Sequence, residues 1–150
     1  MKKKINVFTI ALILLSVFNM VQSGANEQAG LAPAGLVNTY WRLVELEGQP
    51  VKTAEGQREM KFTLREENRV TGYGGCNSFF GSYSHDASAL TFSQLAATRK
   101  FCADTMDRES LFMKALSHAA TYKLTGQTLQ LFDDGGQVLA SLEAVYLRSL

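Results

Sequence analysis

VTGYGGCNSFFGSY, residues 70–83, places two short runs of strand character on either side of a glycine-rich bend. Arg69–Tyr73 predict one strand, and Ser78–Ser84 predict the strand that returns beside it. The glycines between the two runs allow positive φ angles or a close approach of neighbouring backbone. We therefore expect an antiparallel pair of strands with a cysteine, Cys76, at the connecting bend.

The residues on both sides of this pair also alternate between apolar and polar, with turn residues at short intervals, which is typical of an antiparallel β domain. Met60, Phe62 and Leu64 are separated by polar residues, so their side chains share one face of a strand. Gly-Gln-Pro at 48–50 is expected to interrupt the first strand, and Asp-Asp-Gly-Gly at 133–136 favours a tight hairpin turn. The further strands are expected at residues 40–45, 60–64, 90–92, 122–124, 128–132 and 138–145.

Residues 104–120 change to a helical period, and either Asp104 or Thr105 is expected to cap the first amides. A single amphipathic helix must cover one face of a curved sheet to bury its apolar side. The predicted fold class is therefore α+β, a strongly curved antiparallel sheet, or half-barrel or cup, of about seven to eight strands packed on one helix. The apolar residues that recur at helical spacing are Phe112, Ala115, Leu116 and Ala119.

The first 25 residues have the three parts of a secretory signal peptide. Lys2–Lys4 form a basic start, an apolar run follows over residues 5–18, and small residues precede the cleavage points expected after Ala25 or, less favourably, Ser23. The apolar run is about 14 residues long, whereas a membrane-spanning helix needs about 20. We expect export and cleavage, with no stable membrane anchor and a periplasmic or secreted product.

The rest of the chain is expected to hold one domain. Residues 26–35, rich in Gly and Ala, predict a flexible linker, and residues 36–150 the folded domain. The chain has 15 Lys and Arg against 14 Asp and Glu, and without the three lysines of the leader the balance becomes 12 against 14. A slightly acidic chain disfavours nucleic-acid binding, which needs concentrated positive charge.

The two cysteines, Cys76 and Cys102, lie 26 residues apart. In an oxidising compartment an even cysteine count favours a disulfide, which would stabilise this fold by roughly 3 kcal/mol. The alternatives are two reduced, buried cysteines or, less favourably, a zinc site, since His85 and His118 do not stand at zinc-finger spacing from either cysteine. The redox motif Cys-x-x-Cys is absent, and we expect no metal and no cofactor.

The Gly75-Cys76-Asn77 core, the Thr-x-x-x-Cys spacing from Thr98 to Cys102 and the closing Leu129-x-Leu131 hairpin together resemble the META domain, also called the HslJ-like domain, over residues 36–147. The resemblance implies a small antiparallel β fold on one helix, found in bacterial envelope proteins of which some are heat-inducible, with no established activity, substrate or cofactor. Many relatives resemble lipoproteins, but this chain lacks a cysteine at the cleavage point. The residues that carry the resemblance, read as structural family-motif positions, are Trp41, Gly72, Gly75, Cys76, Asn77, Phe79, Gly81, Tyr83, Thr98, Cys102 and Glu109.

The glycine-rich bend at 72–77 has two interpretations. Successive glycines can turn backbone amides into an anion-binding nest, but no Gly-Lys-Ser/Thr follows and the spacing does not match a dinucleotide-binding loop. A structural turn is the favoured interpretation, with the Asn77 side chain bonding local backbone groups.

Catalysis is not favoured by the sequence. His85 falls in a turn and His118 on the polar side of the helix, and Gly-x-Ser-x-Gly is absent. Glu109 is unusual because it falls beside the apolar stripe of the helix. An unpaired buried carboxylate is too costly, so we expect it to accept hydrogen bonds from backbone amides or to pair with an Arg such as Arg99, in a structural role.

The first functional hypothesis is a monomeric, non-catalytic exported protein that binds an envelope protein, a peptide or a small apolar ligand during envelope stress. An accessory factor of an outer-membrane complex is the alternative, and a hydrolase or thiol enzyme is less favoured. Aromatic residues crowd the early strands and are mostly expected in the core, although some could line a binding mouth of the cup. They are Tyr40, Trp41, Tyr73, Phe79, Phe80, Tyr83 and Phe92.

Overall fold

The computed structural model describes residues 32–146. The predicted signal peptide, residues 1–25, and the first part of the predicted linker, 26–31, lie outside the described residues. Within 32–146, no helix combines the length and the hydropathy needed to cross a bilayer.

Apolar–polar alternation produces strands at nearly every place where the sequence predicts them, and the helical period produces the helix. The elements in chain order are β1 (Tyr40–Leu46), β2 (Gln49–Pro50), β3 (Lys61–Arg65), β4 (Arg69–Tyr73), β5 (Ser78–His85), β6 (Leu90–Ala97), α1 (Met106–His118), β7 (Thr121–Thr125), β8 (Thr128–Phe132) and β9 (Val138–Val145).

All strand pairs are antiparallel, and the sheet order is β6-β5-β4-β3-β1-β9-β8-β7, with β2 attached to β1. The sheet curls until its two edge strands meet at one end. There the Leu90 amide donates to the Ala120 carbonyl at 3.1 Å, and the Tyr122 amide donates to the Ser88 carbonyl at 2.9 Å. The predicted α+β half-barrel or cup is confirmed.

Side chains fill the inside of this cup. Phe62 meets Phe92 edge to face with ring centroids 5.5 Å apart, and Phe79 meets Phe112 of α1 in the same way at 6.0 Å. Burial of a large apolar side chain contributes about 1.5–3 kcal/mol, so α1 is held to the sheet mainly by its apolar face. That face consists of the buried residues Phe112, Ala115 and Leu116.

Three local predictions are wrong. Gln49 and Pro50 do not interrupt β1 but form β2 beside it, and the turn consists of Glu47 and Gly48 at φ 48° and 75°. Strand β6 continues past the predicted end at Phe92 to Ala97. The sequence did not indicate this second half because a bulge with Gln94 at φ 52° breaks the apolar–polar alternation.

The third wrong prediction concerns the helix start. Helix α1 spans 106–118 and is shorter than the predicted 104–120. Thr105 occupies the N-cap position, but its side chain makes no capping hydrogen bond, and Asp104 lies in the turn before it. The first turn is instead stabilised by the acidic side chains Asp107 and Glu109 near the positive end of the helix dipole.

Candidate functional site

The bend between β4 and β5 is built by its glycines and closed by its own backbone. The Gly74 amide donates to the Asn77 carbonyl at 2.8 Å, and the Tyr73 hydroxyl donates to the Gly75 carbonyl at 2.8 Å. Gly75 has a φ of +114°, which L residues with side chains rarely adopt. The bend therefore turns the amides of the next two residues, Cys76 and Asn77, toward the helix.

A disulfide joins this bend to the segment that leads into the helix. Cys76 and Cys102 are bonded, with Cα atoms 5.8 Å apart, as the cysteine count predicts. The Cys102 carbonyl accepts hydrogen bonds from the amides of Thr105 at 3.1 Å and Met106 at 3.2 Å. Because both sulfurs are in the bond, neither is available as a thiolate nucleophile.

Glu109 is the buried charge at the centre of this region, with 6% of its surface exposed. Its Oε2 accepts hydrogen bonds from the backbone amides of Cys76 at 2.9 Å and Asn77 at 2.6 Å, and its Oε1 accepts one from Asn77 Nδ2 at 2.7 Å. The expectation of backbone amide donors is confirmed, whereas Arg99 is exposed and is not the partner. Three N–H donors compensate the loss of hydration of the carboxylate.

The glycine-rich bend thus combines the two interpretations, an anion-binding nest and a structural turn. Its amides do converge on an anion, as in a nest, and that anion is the chain's own carboxylate from α1. Gly74 makes the approach possible, since a Cβ there would lie 2.7 Å from Glu109 Cγ and 2.8 Å from its Oε2. The nest is therefore an internal connection between sheet and helix.

Asn77 connects the bend to a third segment. Its Oδ1 accepts hydrogen bonds from Thr98 Oγ1 and from the Lys100 amide, both at 2.7 Å, and its Nδ2 donates to the Lys100 carbonyl at 3.1 Å. The sequence predicts local backbone partners for this side chain, and that prediction is wrong because the partners lie 21 and 23 residues along the chain. A contact at that separation depends on the sheet bringing β5 and β6 side by side.

These contacts fix residues 98–105, which we call the crosslinked loop. Thr98 and Lys100 are held by Asn77, and Cys102 is held by the disulfide. Between these anchors the side chains of Arg99 and Phe101 are exposed, as is that of Lys100. We call the three residues Arg99-Lys100-Phe101 the tip; Phe101 is 83% exposed, the largest fraction among the exposed large apolar residues of 32–146.

No sequence pattern predicts the tip as a candidate site. Its residues belong to no periodic segment, so no pattern marks them. The available signal is composition: a phenylalanine stands between two cations and a cysteine that is expected to be bonded.

The remaining family-motif residues take packing positions in the sheet. The indole N–H of buried Trp41 donates to the Leu36 carbonyl at 2.9 Å, and the Tyr83 hydroxyl donates to the Arg65 carbonyl at 2.9 Å. Burial raises the pKa of the Tyr83 hydroxyl, and the Glu66 carboxylate adds to the rise, so the group stays a donor. A Cβ on Gly72 would lie 2.5 Å from the Lys61 carbonyl, and one on Gly81 would lie 2.8 Å from the Ser93 carbonyl.

The aromatic residues of the early strands, mostly expected in the core, divide between core and surface. Trp41, Phe79, Tyr83 and Phe92 are buried, which confirms the core prediction for these four. Phe80 is 61% exposed.

Two shallow surface clefts have volumes of about 480 and 380 Å³ and are lined mainly by polar side chains. The first is lined by residues that include Arg65, Glu66, Glu67 and Arg69, and the second by residues that include Glu47, Lys114, His118 and Asp133.

The two histidines are on the surface, as predicted, but His85 is the last residue of β5 and does not lie in a turn as the sequence suggested. The His85 ring stacks on Tyr83 with centroids 5.7 Å apart, and His118 Nδ1 lies 2.9 Å from the Lys114 carbonyl in the last turn of α1. Within the described part of the chain, no three His, Cys, Asp or Glu side chains are grouped so that they could hold a metal ion.

Comparisons with known proteins agree with this architecture. A family model of the META domain matches residues 34–146. An NMR structure of a protein from Burkholderia xenovorans has a TM-score of 0.59 at 21% identity and covers 84% of this chain and 99% of its own. A second NMR structure has a TM-score of 0.59 at 23% identity, with coverages of 75% and 94%.

A third similar structure is the crystal structure of a DUF4847 family protein from Bacteroides vulgatus. It has a TM-score of 0.53 at 14% identity and covers 72% of this chain and 93% of its own. No curated protein matches this chain. At these identities the solved structures show a shared fold.

Proposed function

We propose that this chain, a small bacterial protein that belongs to the META-domain family, is an exported, non-catalytic binding protein of the cell envelope. Its partner in this proposal is a protein or a peptide, engaged during envelope stress. The filled interior of the cup favours such a partner over the small apolar ligand that the sequence also suggests, because side chains occupy the space that a ligand would need.

The observation that carries the proposal is the crosslinked loop with its exposed Phe101. Single exposed apolar residues are ordinary on protein surfaces. Phe101 differs because the backbone on both sides of it is fixed, by Asn77 at Lys100 and by the disulfide at Cys102. Aromatic side chains are enriched at protein interfaces, and a fixed backbone presents this one at a defined position.

Export is supported by two independent features. Disulfides persist in oxidising compartments and are rare in the cytosol, which fits the bonded Cys76 and Cys102. The first 25 residues have the composition of a signal peptide. The role in envelope stress rests on the resemblance to a family with heat-inducible members.

A non-catalytic role is supported by the structural contacts of the chemically reactive residues. Cys76 and Cys102 are bonded to each other, and the buried carboxylate of Glu109 accepts three hydrogen bonds from N–H donors. In an enzyme, nucleophile and base would instead face a substrate.

The test of export expresses the full chain in a bacterium and separates periplasm from cytoplasm. We expect the product in the periplasm, with the mass of a chain that starts at Asn26 or Gly24 and with no alkylatable thiol before reduction. A matched variant with Lys2, Lys3 and Lys4 changed to Glu should remain uncut and inside the cell. An uncut wild-type chain in the cytoplasm with two free thiols would contradict the proposal.

The test of binding uses the same cells. A photoreactive phenylalanine analogue is placed at three exposed apolar positions, Phe80, Phe101 and Leu111, one at a time. We expect a discrete protein adduct from at least one of them, stronger after heat shock. Absence of adducts from all three positions in the exported protein would contradict a binding role.

A further inference from the structure

We infer that the tip, Arg99-Lys100-Phe101, is the contact surface, and that it fits a partner protein with an apolar pocket bordered by carboxylates. This inference rests on the proposed binding function and adds to it the place of the contact and the chemistry of the partner.

The apolar part of this surface is a protruding ring. Phe101 is 83% exposed, compared with 61% for Phe80 and 40% for Leu111. A benzyl side chain that is exposed to this extent contacts little of its own protein, so almost all of its apolar surface is free to be buried by a partner. A convex ring requires a concave receptor, and a pocket is the receptor that buries it most completely.

The charged part of the surface consists of the two cations beside the ring. The salt bridges within residues 32–146 are both made by Arg42, so Arg99 and Lys100 carry charge that no carboxylate of the described chain pairs with. The nearest acidic residue along the loop, Asp104, is exposed and forms no ion pair there. Two unpaired cations next to an apolar anchor are complementary to carboxylates on the rim of the pocket.

The rigidity of the loop favours a protein over a lipid surface. Lys100 is held through both its amide and its carbonyl by Asn77, and Asn77 is held by Glu109. Fixing an anchor in advance reduces the entropy lost on binding a partner of defined shape. A fluid bilayer has no such shape and would accept a mobile loop equally well.

The in-cell test compares the three positions that carry the photoreactive analogue. We expect the adduct from position 101 to exceed those from positions 80 and 111, and to disappear from that position when Arg99 and Lys100 are both changed to Glu. Adducts from 80 or 111 with none from 101 would overturn the inference and leave the proposed function standing. No adduct from any position would overturn both.

The test in solution titrates the protein found in the adduct with purified variants of this chain. Phe101→Ala and the double variant Arg99→Glu with Lys100→Glu should each weaken binding at least about tenfold, and added salt should weaken wild-type binding. The matched control, Phe80→Ala, removes an exposed ring elsewhere and should leave the affinity unchanged. Equal affinity for Phe101→Ala and wild type would overturn the inference.

Two further measurements test whether the variants are unfolded and whether the tip binds a membrane instead of a protein. Thermal unfolding of each variant should match wild type, because the altered side chains are exposed and the backbone contacts of Lys100 are kept. Sedimentation with phosphatidylglycerol vesicles should show no binding that depends on Phe101. Vesicle binding that is lost in Phe101→Ala would assign the tip to the membrane and overturn the inference.

Discussion

The carboxylate of Glu109, in the first turn of the helix, accepts a hydrogen bond of 2.6 Å from the backbone amide of Asn77, the residue just before β5. The same side chain also accepts from the Cys76 amide and from Asn77 Nδ2. Helix and sheet are thereby joined by charge-assisted hydrogen bonds in addition to their apolar contact. The crosslinked loop depends on this connection, because Asn77 in turn holds Thr98 and Lys100.

Replacement of Glu109 by Ala should strongly destabilise the protein. The change leaves two amides and the Asn77 side-chain N–H without their acceptor in a buried site, at a cost of about 3 kcal/mol in the free energy of unfolding. Urea unfolding measures this directly, and the melting temperature should fall by roughly 10 °C. Asp107→Ala, a control that removes an exposed acid from the same turn, should change the free energy by less than about 0.5 kcal/mol. Equal effects of the two substitutions would show that Glu109 acts only through the helix dipole.

Gly74→Ala should destabilise the protein because of its contact with Glu109. Gly74 has a φ open to any residue, but a Cβ would lie 2.7 Å from Glu109 Cγ, and that side chain is held in place by its hydrogen bonds. We expect a loss of about 2 kcal/mol. Gly35→Ala is the matched control, since a Cβ there would be no closer than 3.7 Å to any atom.

The cause can be isolated with a double-mutant cycle. In the Glu109→Ala background the obstructing side chain is gone, so Gly74→Ala should cost less than about 1 kcal/mol. A full cost in that background would show that Gly74 is required for a reason other than Glu109.

Removal of the disulfide should lower the free energy of unfolding by about 3 kcal/mol, as the chain-entropy model gives for a loop of this length. The double variant Cys76→Ala with Cys102→Ala and the reduced wild type should agree, because the chain has only these two cysteines. Urea unfolding with and without reductant provides the comparison. A wild-type unfolding curve that does not respond to reductant would contradict the prediction.

Asp86 makes a pH-dependent contribution to the free energy of unfolding, at the point where the two edge strands meet. Hydrogen bonds from the Ala89 and Ser88 amides hold the pKa of its carboxyl below the ordinary value. A lowered folded-state pKa means that the stabilisation is present above the unfolded-state pKa of about 3.9 and is lost as the pH falls through the folded-state pKa.

The measurement for Asp86 is a carboxyl-carbon NMR titration of the folded protein, which should give a midpoint below that of the same residue in urea. The Asp86→Asn variant keeps an oxygen acceptor but has no titrating carboxyl group. The free energy of unfolding of this variant should therefore lack the part of the pH dependence that Asp86 contributes. Identical midpoints in the folded and unfolded chain would contradict the assignment.

Much of the fold could be predicted from the sequence because alternation and turn chemistry are local signals. The strands at 69–73, 128–132 and 138–145 have the predicted bounds, since each is a regular run ended by turn residues. The signal fails where the backbone is irregular. The bulge at Gln94 hides the second half of β6, and β2 is too short to show a period.

The candidate site was only partly predictable for a different reason. The cysteine pair and the need of Glu109 for N–H donors follow from residue type and helix position. The identity of those donors does not, because the contacts of Glu109 span 32 and 33 residues and exist only when the sheet has curled. The partners of the Asn77 side chain, 21 and 23 residues away, cannot be predicted for the same reason. The exposed position of Phe101 depends on these contacts and is equally hidden in the sequence.

The most direct test of the account is the hydrogen exchange rate of the Lys100 amide, measured by NMR in the oxidised wild type and in Asn77→Ala. This amide lies on an exposed residue, and its acceptor is Asn77 Oδ1 at 2.7 Å. If Glu109, Asn77 and the disulfide together hold the loop that presents Phe101, the amide is protected in wild type and exchanges much faster in the variant. Exchange at the rate of an unstructured peptide in the oxidised wild type would show that the loop is not held, and would contradict the account.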